Sequence, residues 1–302
     1  MLVIFVINTL WEMSAVKILN TNEVKELQKM YEHNIPYANH VNSLFIIYFN
    51  WKKFHPDKDY LHFHVLGNDW KRSGTFLLTF RNFDIFMFTL DKTGEDLLIL
   101  LNKSKLLKIA STTWNNKPVI YGIRNEHLEP IYKSIQELEI PIKEQELNKF
   151  VDKDNNYKIY FLSKEDALKY TIDPPDDVYI DKLNLSHVDL ICSLWPNNFP
   201  GAKEYLSTYI EMNTGYGVFL KENGQLVSWI MQNFWGTLIV LETIPEFKRK
   251  GYGSLIVKKI CVEIAKDGIN PLCTIYSKNY PSQNLFTKLG FECIGDCTFL
   301  LM

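Results

Sequence analysis

The chain has 302 residues, more than one hydrophobic core usually organises, so two domains are expected. Hydrophobic residues make up 46% and charged residues 23%, ordinary globular proportions that argue against collagen-like, coiled-coil and disordered classes. With 33 basic and 35 acidic residues the formal charge is -2, which gives no footprint for nucleic acid, and no apolar run approaches the roughly 20 residues needed to cross a bilayer.

The first residues, 1–12, are apolar but lack a positive leading segment and a small-residue cleavage site. The first arginine is Arg72, so neither a secretory signal nor a mitochondrial transit peptide fits. The segment reads as a docked strand, or as an extension ahead of a second start at Met13. Cys192, Cys261, Cys273, Cys293 and Cys297 are odd in number and contain no Cys-x-x-Cys pair, which argues for reduced core thiols and against disulfides or structural zinc. A cytoplasmic protein is expected, with the mitochondrial matrix second.

Val24, Leu27, Met30 and Tyr31 recur at helical spacing after Thr21 and Asn22, which are capping candidates. Strands are predicted over His62–Leu66, Thr75–Phe80 and Ile85–Leu90, and helices around Glu95–Leu101 and Glu126–Leu138. The polar stretch Asp152–Asn156 leads into a strand at Tyr157–Leu162. The turn-forming run Asp173-Pro-Pro-Asp-Asp177 marks a boundary. This gives an N-terminal α/β domain over 13–172 and a second domain over 176–302.

The second half predicts a strand at Val178–Leu183 and a helix through Leu194 started by Ser186 and Asp189. An amphipathic helix follows at Ala202–Met212. Strands Val218–Leu220 and Gln225–Gln232 flank Asn223-Gly224, the signature of a type I′ hairpin turn with positive φ at both central residues. A third strand, Leu238–Thr243, precedes a glycine-rich turn and a helix, Ser254–Lys266, closed by Gly268. A strand at Leu272–Tyr276, a helix at Ser282–Leu289 and a last strand from Phe291 complete the order.

Chemistry concentrates between Leu238–Thr243 and the helix. The first amides of a helix lack intrahelical partners, and with the helix dipole they form an anion site that glycines let a phosphate approach. Lys248, Arg249 and Lys250 stand beside Gly251-Tyr252-Gly253-Ser254. The turn therefore reads either as a phosphate site or as a structural turn. The nucleotide P-loop pattern fails, and the dinucleotide fingerprint fails because Ile256 stands where a third glycine is required.

The run PEFKRKGYGSLI, followed by NYPSQNLFTKLGFE, resembles motifs A and B of the GNAT (Gcn5-related N-acetyltransferase) superfamily. With Ser228-Trp229-Ile230 and Thr243-Ile-Pro-Glu246, it is similar to the glycine N-acyltransferase-like branch, particularly insect members with an FR47-like C-terminal domain. The resemblance covers about residues 176–302. It implies a mixed α/β architecture: a C-terminal GNAT-like fold, with a central mixed sheet and flanking helices, and an N-terminal α/β domain as a degenerate GNAT-like half.

The resemblance further implies acyl transfer from acyl-CoA or acetyl-CoA to an amine, with no metal. The CoA diphosphate would lie on the amides of Arg249, Lys250, Gly251, Tyr252, Gly253 and Ser254, near Lys248. The pantetheine arm would pair along Leu241, Glu242 and Thr243, where that strand splays from Leu272–Tyr276, and Asn279 would contact the cofactor. An amide near Leu241 or Glu242 would polarise the thioester.

Three positions depart from the pattern. Lys248 replaces the first Arg or Gln of motif A and loses planar bidentate donation. Thr237 stands where many relatives carry the carboxylate base, and Phe286 where many carry the tyrosine acid. Substitutes are Glu242 and Glu246 as base, and Tyr276 or Tyr280 as acid; a solvated carboxylate or a core-edge tyrosine is the plainer reading of each. His62 and His64 share a strand face but have no third ligand by pattern. His187 reads as a capping neighbour. Tyr205, Tyr209 and Trp195 read as core, or as the wall of an acyl or acceptor pocket.

The expected activity is an acyl-CoA-dependent N-acyltransferase using direct, ternary-complex transfer to a small amine such as glycine or another amino acid. Its rivals are acetylation of protein or polyamine amines and a non-catalytic acyl-CoA-binding protein. Expected partners are the amine and acyl-CoA, not nucleic acid or membrane, with the chain a monomer or weak homodimer.

Overall fold

A computed structural model describes residues 15–114, 118–143, 146–147, 156–213 and 215–302. The expectation for residues 1–12 lies outside these, as does most of the polar stretch 152–156. The chain forms two compact units. The first gathers the described residues of Met1–Ile35, Asp59–Tyr157 and Asp296–Met302, and the second those of Pro36–Lys58 and Lys158–Gly295.

In the first unit, β1 (Val16–Ile18) leads into α1 (Thr21–Tyr31). Asn20 caps α1, one residue ahead of the predicted candidates: its Oδ1 accepts the amides of Asn22 and Glu23 at 3.0 and 3.1 Å, and the Glu23 carboxylate accepts the Asn20 amide in return. This capping box satisfies otherwise orphaned helix donors. Strands β2 (Leu61–Leu66), β3 (Phe76–Phe80) and β4 (Asp84–Phe88) follow, with a short α3 (Trp70–Ser73) between the first two. The next elements are α4 (Glu95–Ser104), α5 (Leu106–Thr113), β5 (Val119–Arg124) and α6 (Leu128–Glu137).

β1–β2, β2–β3 and β3–β4 pair antiparallel, whereas β4–β5 is parallel. β3 and β4 are buried along their whole length, which identifies the middle of this sheet. The helices seal it through Leu97, Leu101 and Ile131 against Leu77, Ile85 and Ile120.

The second unit contains α2 (Asn39–Phe54), β6 (Tyr157–Phe161), α7 (Lys164–Ala167), β7 (Val178–Lys182), α8 (Val188–Leu194) and α9 (Ala202–Met212). These are followed by β8 (Gly215–Leu220), β9 (Leu226–Gln232), β10 (Thr237–Thr243), α10 (Tyr252–Lys266), β11 (Leu272–Tyr276), α11 (Tyr280–Lys288) and the first residues of β12 (Glu292–Leu301), whose remainder from Asp296 belongs to the first unit. Its sheet runs β6-β11-β10-β9-β8-β7. The pairs β7–β8, β8–β9 and β9–β10 are antiparallel and β10–β11 is parallel, a mixed sheet with α10 packed on β8 and β9.

Several local expectations change. The helix α2 was not predicted. Asn39, His40, Val41, Ser43, Leu44, Phe45, Ile47, Tyr48 and Trp51 are all buried, so the sequence lacks the polar stripe that marks an amphipathic helix. Trp51 Nε1 donates to Asn213 Oδ1 at 2.6 Å, and Asn213 Nδ2 donates to the Gln232 carbonyl at 3.0 Å, fixing α2 to the end of β9. The β8–β9 hairpin is present, but not with a type I′ turn. Its loop spans 221–225 and Gly224 alone takes positive φ, at 72°, so one left-handed residue closes a longer loop.

Asn184 replaces Ser186 as the cap before α8, accepting the Ser186 amide at 3.0 Å while His187 Nδ1 accepts the Asn184 amide at 3.0 Å. Cys261, Cys273 and Cys297 are buried, whereas Cys293 is exposed and is not a core thiol. The run Asp173–Asp177 lies within the second unit. No helix among the described residues is long and apolar enough to cross a membrane.

Candidate active site

β10 begins as an ordinary central strand and then departs from its neighbours. Leu238 and Ile239 face Gln232 and Met231, but the next pairs are Glu242 with Trp229 and Thr243 with Ser228. Val240 and Leu241 form a bulge. Val240 sits at φ 54°, a region that β-branched residues avoid because Cβ crowds the backbone. On its other edge, β10 pairs with β11 only at Thr237–Leu272 and Leu238–Cys273. Beyond these pairs the two parallel strands part, and Ile239 through Thr243 are half-buried where a central strand would be fully covered.

Below this opening the chain makes a 3-10 turn, Pro245–Phe247, and then enters α10. Arg249 (φ 64°) and Gly251 (φ 86°) are both left-handed. Left-handed residues alternating with right-handed ones turn successive N–H groups toward one concavity, a backbone nest suited to an anion. The first bond of α10 is from the Leu255 amide to the Gly251 carbonyl, at 3.0 Å, and no side chain caps the helix. Among the described residues, the amides of Arg249 through Ser254 find no acceptor. α10 therefore starts two residues earlier than predicted, at Tyr252, and presents its positive dipole end bare.

The glycines of this turn differ in their reasons. A Cβ at Gly251 would meet nothing within 4 Å, so its requirement is conformational. Gly253 has no such constraint, and a Cβ there would approach Thr243 Oγ1 at 3.8 Å and Leu285 Cδ2 at 3.9 Å, ordinary contacts. The protein itself thus leaves room at Gly253, on the side of the turn that faces the end of β10 and α11.

Side chains tie the parts together. Lys248 Nζ pairs with Glu242 Oε1 at 3.0 Å, and the Thr243 amide donates to the same oxygen at 3.1 Å. Ser228 Oγ donates to the Glu242 carbonyl at 2.9 Å and lies 2.8 Å from Thr243 Oγ1, holding the strand end beyond the bulge. The Tyr252 hydroxyl donates to Asp177 Oδ2 at 3.1 Å, anchoring the first turn of α10 to the acidic run before β7. Burial, then Asp177, raises the Tyr252 phenol above its ordinary range. Lys250 Nζ rests 5.0 Å from the Phe247 ring centroid.

The predicted residues distribute unevenly around this opening. Leu241, Glu242, Thr243, Lys248, Arg249, Lys250, Gly251, Tyr252, Gly253 and Ser254 lie on one continuous strand–turn–helix segment. Glu246 is exposed within the 3-10 turn. Tyr276 closes β11, and its carbonyl accepts from Gln283 Nε2 at 3.2 Å. Tyr280 is 65% exposed at the start of α11. Asn279 caps α11, accepting the Ser282 amide at 3.3 Å, a structural duty that any further contact must share. Thr237 and Phe286 are buried, the latter edge-on to Phe291 with centroids 5.0 Å apart. Ser228 and Asp177 were not singled out as site residues, since only the fold brings them to the strand end and the helix start.

The remaining candidates are structural in their surroundings. His62 Nε2 meets Asp59 Oδ2 and His64 Nε2 meets Thr79 Oγ1, each at 3.1 Å. Among the described residues no group of three His, Cys, Asp or Glu could hold a metal. Tyr205 and Tyr209 are buried with ring centroids 4.8 Å apart, and Trp195 stacks on Tyr205 at 6.5 Å.

Residues 215–300 match the FR47-like protein family. Among solved structures, a Drosophila protein from a structural genomics programme is 19% identical, covering 96% of this chain and 99% of its own, with a TM-score of 0.81. A tandem GNAT protein from the clavulanic acid biosynthesis pathway is 11% identical, with 94% and 96% covered and a TM-score of 0.53. A GCN5-related glucosamine N-acetyltransferase region of a fungal multi-domain β-N-acetylglucosaminidase is 10% identical, covering 94% of this chain and 37% of that one, with a TM-score of 0.52. No curated protein matches the chain in sequence. The likeness is one of fold: the chain has the mixed α/β architecture of GNAT proteins, and the match to a tandem GNAT protein extends over both units.

Proposed function

We propose that the chain is an acyl-CoA-dependent N-acyltransferase, with the CoA diphosphate on the amides of Arg249 through Ser254. The single observation that supports this most is that these amides lack acceptors while a nest of left-handed residues gathers them beside three cations. The match of residues 215–300 to the FR47-like family and the fold shared with a tandem GNAT protein favour the same reading. The parting of β10 from β11 supplies an open strand edge, on which an extended pantetheine arm would pair at Leu241–Thr243 as a peptide adds to a sheet.

In the proposed step the acceptor nitrogen bonds to the thioester carbonyl carbon and the C–S bond breaks. CoA leaves as its thiolate, which takes up a proton, while the amine gives one to a base. An amide of the bulged segment, at Leu241 or Glu242, would stabilise the oxyanion, a contribution on the order of 3 kcal/mol. Glu242 or Glu246 would accept the proton and Tyr276 or Tyr280 would supply the other. Asn279 would touch the cofactor. The acceptor we propose is a small amine such as glycine or another amino acid, in a glycine N-acyltransferase-like role.

A second reading is a protein that binds acyl-CoA without turnover. It is favoured by the buried Thr237 and Phe286, neither of which titrates usefully, and by the engagement of Glu242 with Lys248. Thermal stabilisation by acetyl-CoA and benzoyl-CoA tests what both readings share, and stabilisation by neither removes both. Thiol release from acyl-CoA across glycine, other amino acids, polyamines and lysine peptides then separates them. Amine-dependent release establishes the transferase, and its pattern identifies the acceptor.

A further inference from the structure

The two units repeat one device with opposite outcomes. In each, a strand pairs antiparallel with its predecessor and parallel with its successor: β4 between β3 and β5, and β10 between β9 and β11. In each, the strand leads through a loop into a helix whose N-cap is a left-handed glycine, Gly94 (φ 71°) before α4 and Gly251 (φ 86°) before α10. The helix start at Gly251 is bare. The one at Gly94 is not.

Asp91 accounts for the difference. Its Oδ2 accepts the Asp96 amide at 3.0 Å, and its Oδ1 accepts the Thr93 amide at 3.0 Å and the Thr93 hydroxyl at 2.8 Å. The Thr93 hydroxyl oxygen in turn accepts the Glu95 amide at 3.2 Å, and the Asp91 carbonyl accepts the Gly94 amide at 3.2 Å. The amides of Thr93, Gly94, Glu95 and Asp96 are therefore taken within the chain. Asp91 is itself held, since its own amide donates to Thr89 Oγ1 at 3.0 Å, and that hydroxyl lies 2.6 Å from Thr75 Oγ1 in a buried chain reaching Ser73.

The surroundings differ in the same sense. Glu95 and Asp96 stand in the first turn of α4, where Lys248, Arg249 and Lys250 precede α10, and Arg72 pairs with Asp96. A Cβ at Gly94 would come within 2.9 Å of Pro130 Cγ, whereas Gly251 faces open space. β4 is buried throughout and pairs with β5 from Asp84–Val119 to Phe86–Tyr121. The His127 ring closes against Phe88, centroids 4.8 Å apart.

We infer that Asp91 is the resident anion of the first unit, its carboxylate filling the helix entrance that the second unit leaves open, so that the chain carries one diphosphate site and not two. The count of one rests on the proposed reading of the Gly251 turn, whereas the assignment of Asp91 does not. Burial acts to raise the Asp91 carboxyl, and the amides of Asp96 and Thr93 more than offset it, leaving it below the usual carboxylate range. The carboxylate therefore stabilises the folded state above the ordinary Asp pKa of the unfolded chain and loses that effect as acid protonates it.

Two measurements on the full chain test this. Calorimetric titration with CoA should give one site per chain and none in Gly251→Asp; two sites per chain, or one surviving in Gly251→Asp, would overturn the count. Asp91→Asn and Asp91→Ala should melt several degrees below the parent at neutral pH, with the gap closing on acidification and CoA affinity at the remaining site unchanged. Equal melting temperatures at neutral pH, or a gap that persists into acid, would overturn the resident anion. Should the parent bind no CoA, the Gly251 reading fails, and the melting comparison still decides the role of Asp91.

Discussion

Lys248 Nζ stands 3.0 Å from Glu242 Oε1, and the amide of Thr243 donates to that same oxygen. One carboxylate oxygen is thus committed to the basic turn, while the charge sits at the strand end where transfer is proposed. If Glu242 is the base, Glu242→Gln lowers kcat by about 10²–10⁴-fold with acyl-CoA affinity kept, and Glu246→Gln stays within about twofold, as expected of an exposed turn residue. Thiol-release kinetics on both variants decide the matter; full turnover in Glu242→Gln moves the base elsewhere.

The turn glycines separate folding from binding. Gly253→Ala adds a methyl group where the protein offers only ordinary contacts, so its melting temperature should match the parent. Its acyl-CoA affinity should fall about tenfold, near 1.4 kcal/mol. Gly251→Ala, at φ 86°, should cost about 1–2 kcal/mol of stability. Denaturation and calorimetry on the pair test this, and an unchanged affinity in Gly253→Ala counts against ligand approach at that face.

Strain in β10 predicts an inverted glycine effect. A left-handed valine costs on the order of 1–3 kcal/mol, so Val240→Gly should cost nothing or gain about 1 kcal/mol. By contrast, Ile239→Gly, one residue earlier, should cost about 2 kcal/mol or more. Comparable losses in both variants, read from urea denaturation, would remove strain as the description of the bulge.

Acid sensitivity should come partly from two histidines. Burial lowers both His64 and His127 from 6.5 to about 4, with the charge of His62 adding to the effect at His64. As pH falls below 6.5 the unfolded chain binds protons that the folded chain refuses, so stability is full above pH 6.5 and declines toward pH 4. Each site contributes a slope of up to about 1.4 kcal/mol per pH unit. Replacing His127 by Asn should flatten the curve in that window; a curve of unchanged slope would show that the site does not titrate as described.

Legibility in the sequence followed the physics of each element. Amphipathic or glycine-punctuated pieces could be read from local pattern: Ala202–Met212 and Leu272–Tyr276 have the predicted bounds, and strand, glycine turn and helix follow in the predicted order through Lys266. The bulge could not be read, because the apolar run Leu238–Leu241 looks like any unbroken buried strand and the register slip arises from pairing with β9. Nor could the Lys248–Glu242 pair or the Tyr252–Asp177 bond, which need a folded turn to meet. The helix α2 escaped because burial on nearly every side erases periodicity, and Asp91 escaped because an acid near a helix start looks like any solvated one.

β12 starts in the second unit and, past Gly295 at φ 146°, finishes in the first, where Cys297 through Leu301 pair with Arg124 through Val119. During synthesis the half that leaves the ribosome first must therefore wait for residues 297–301 before β5 gains this partner, against the usual N-to-C order of domain folding. A chain cut before Cys297 would keep the Gly251 turn and still leave β5 without this partner in the earlier half.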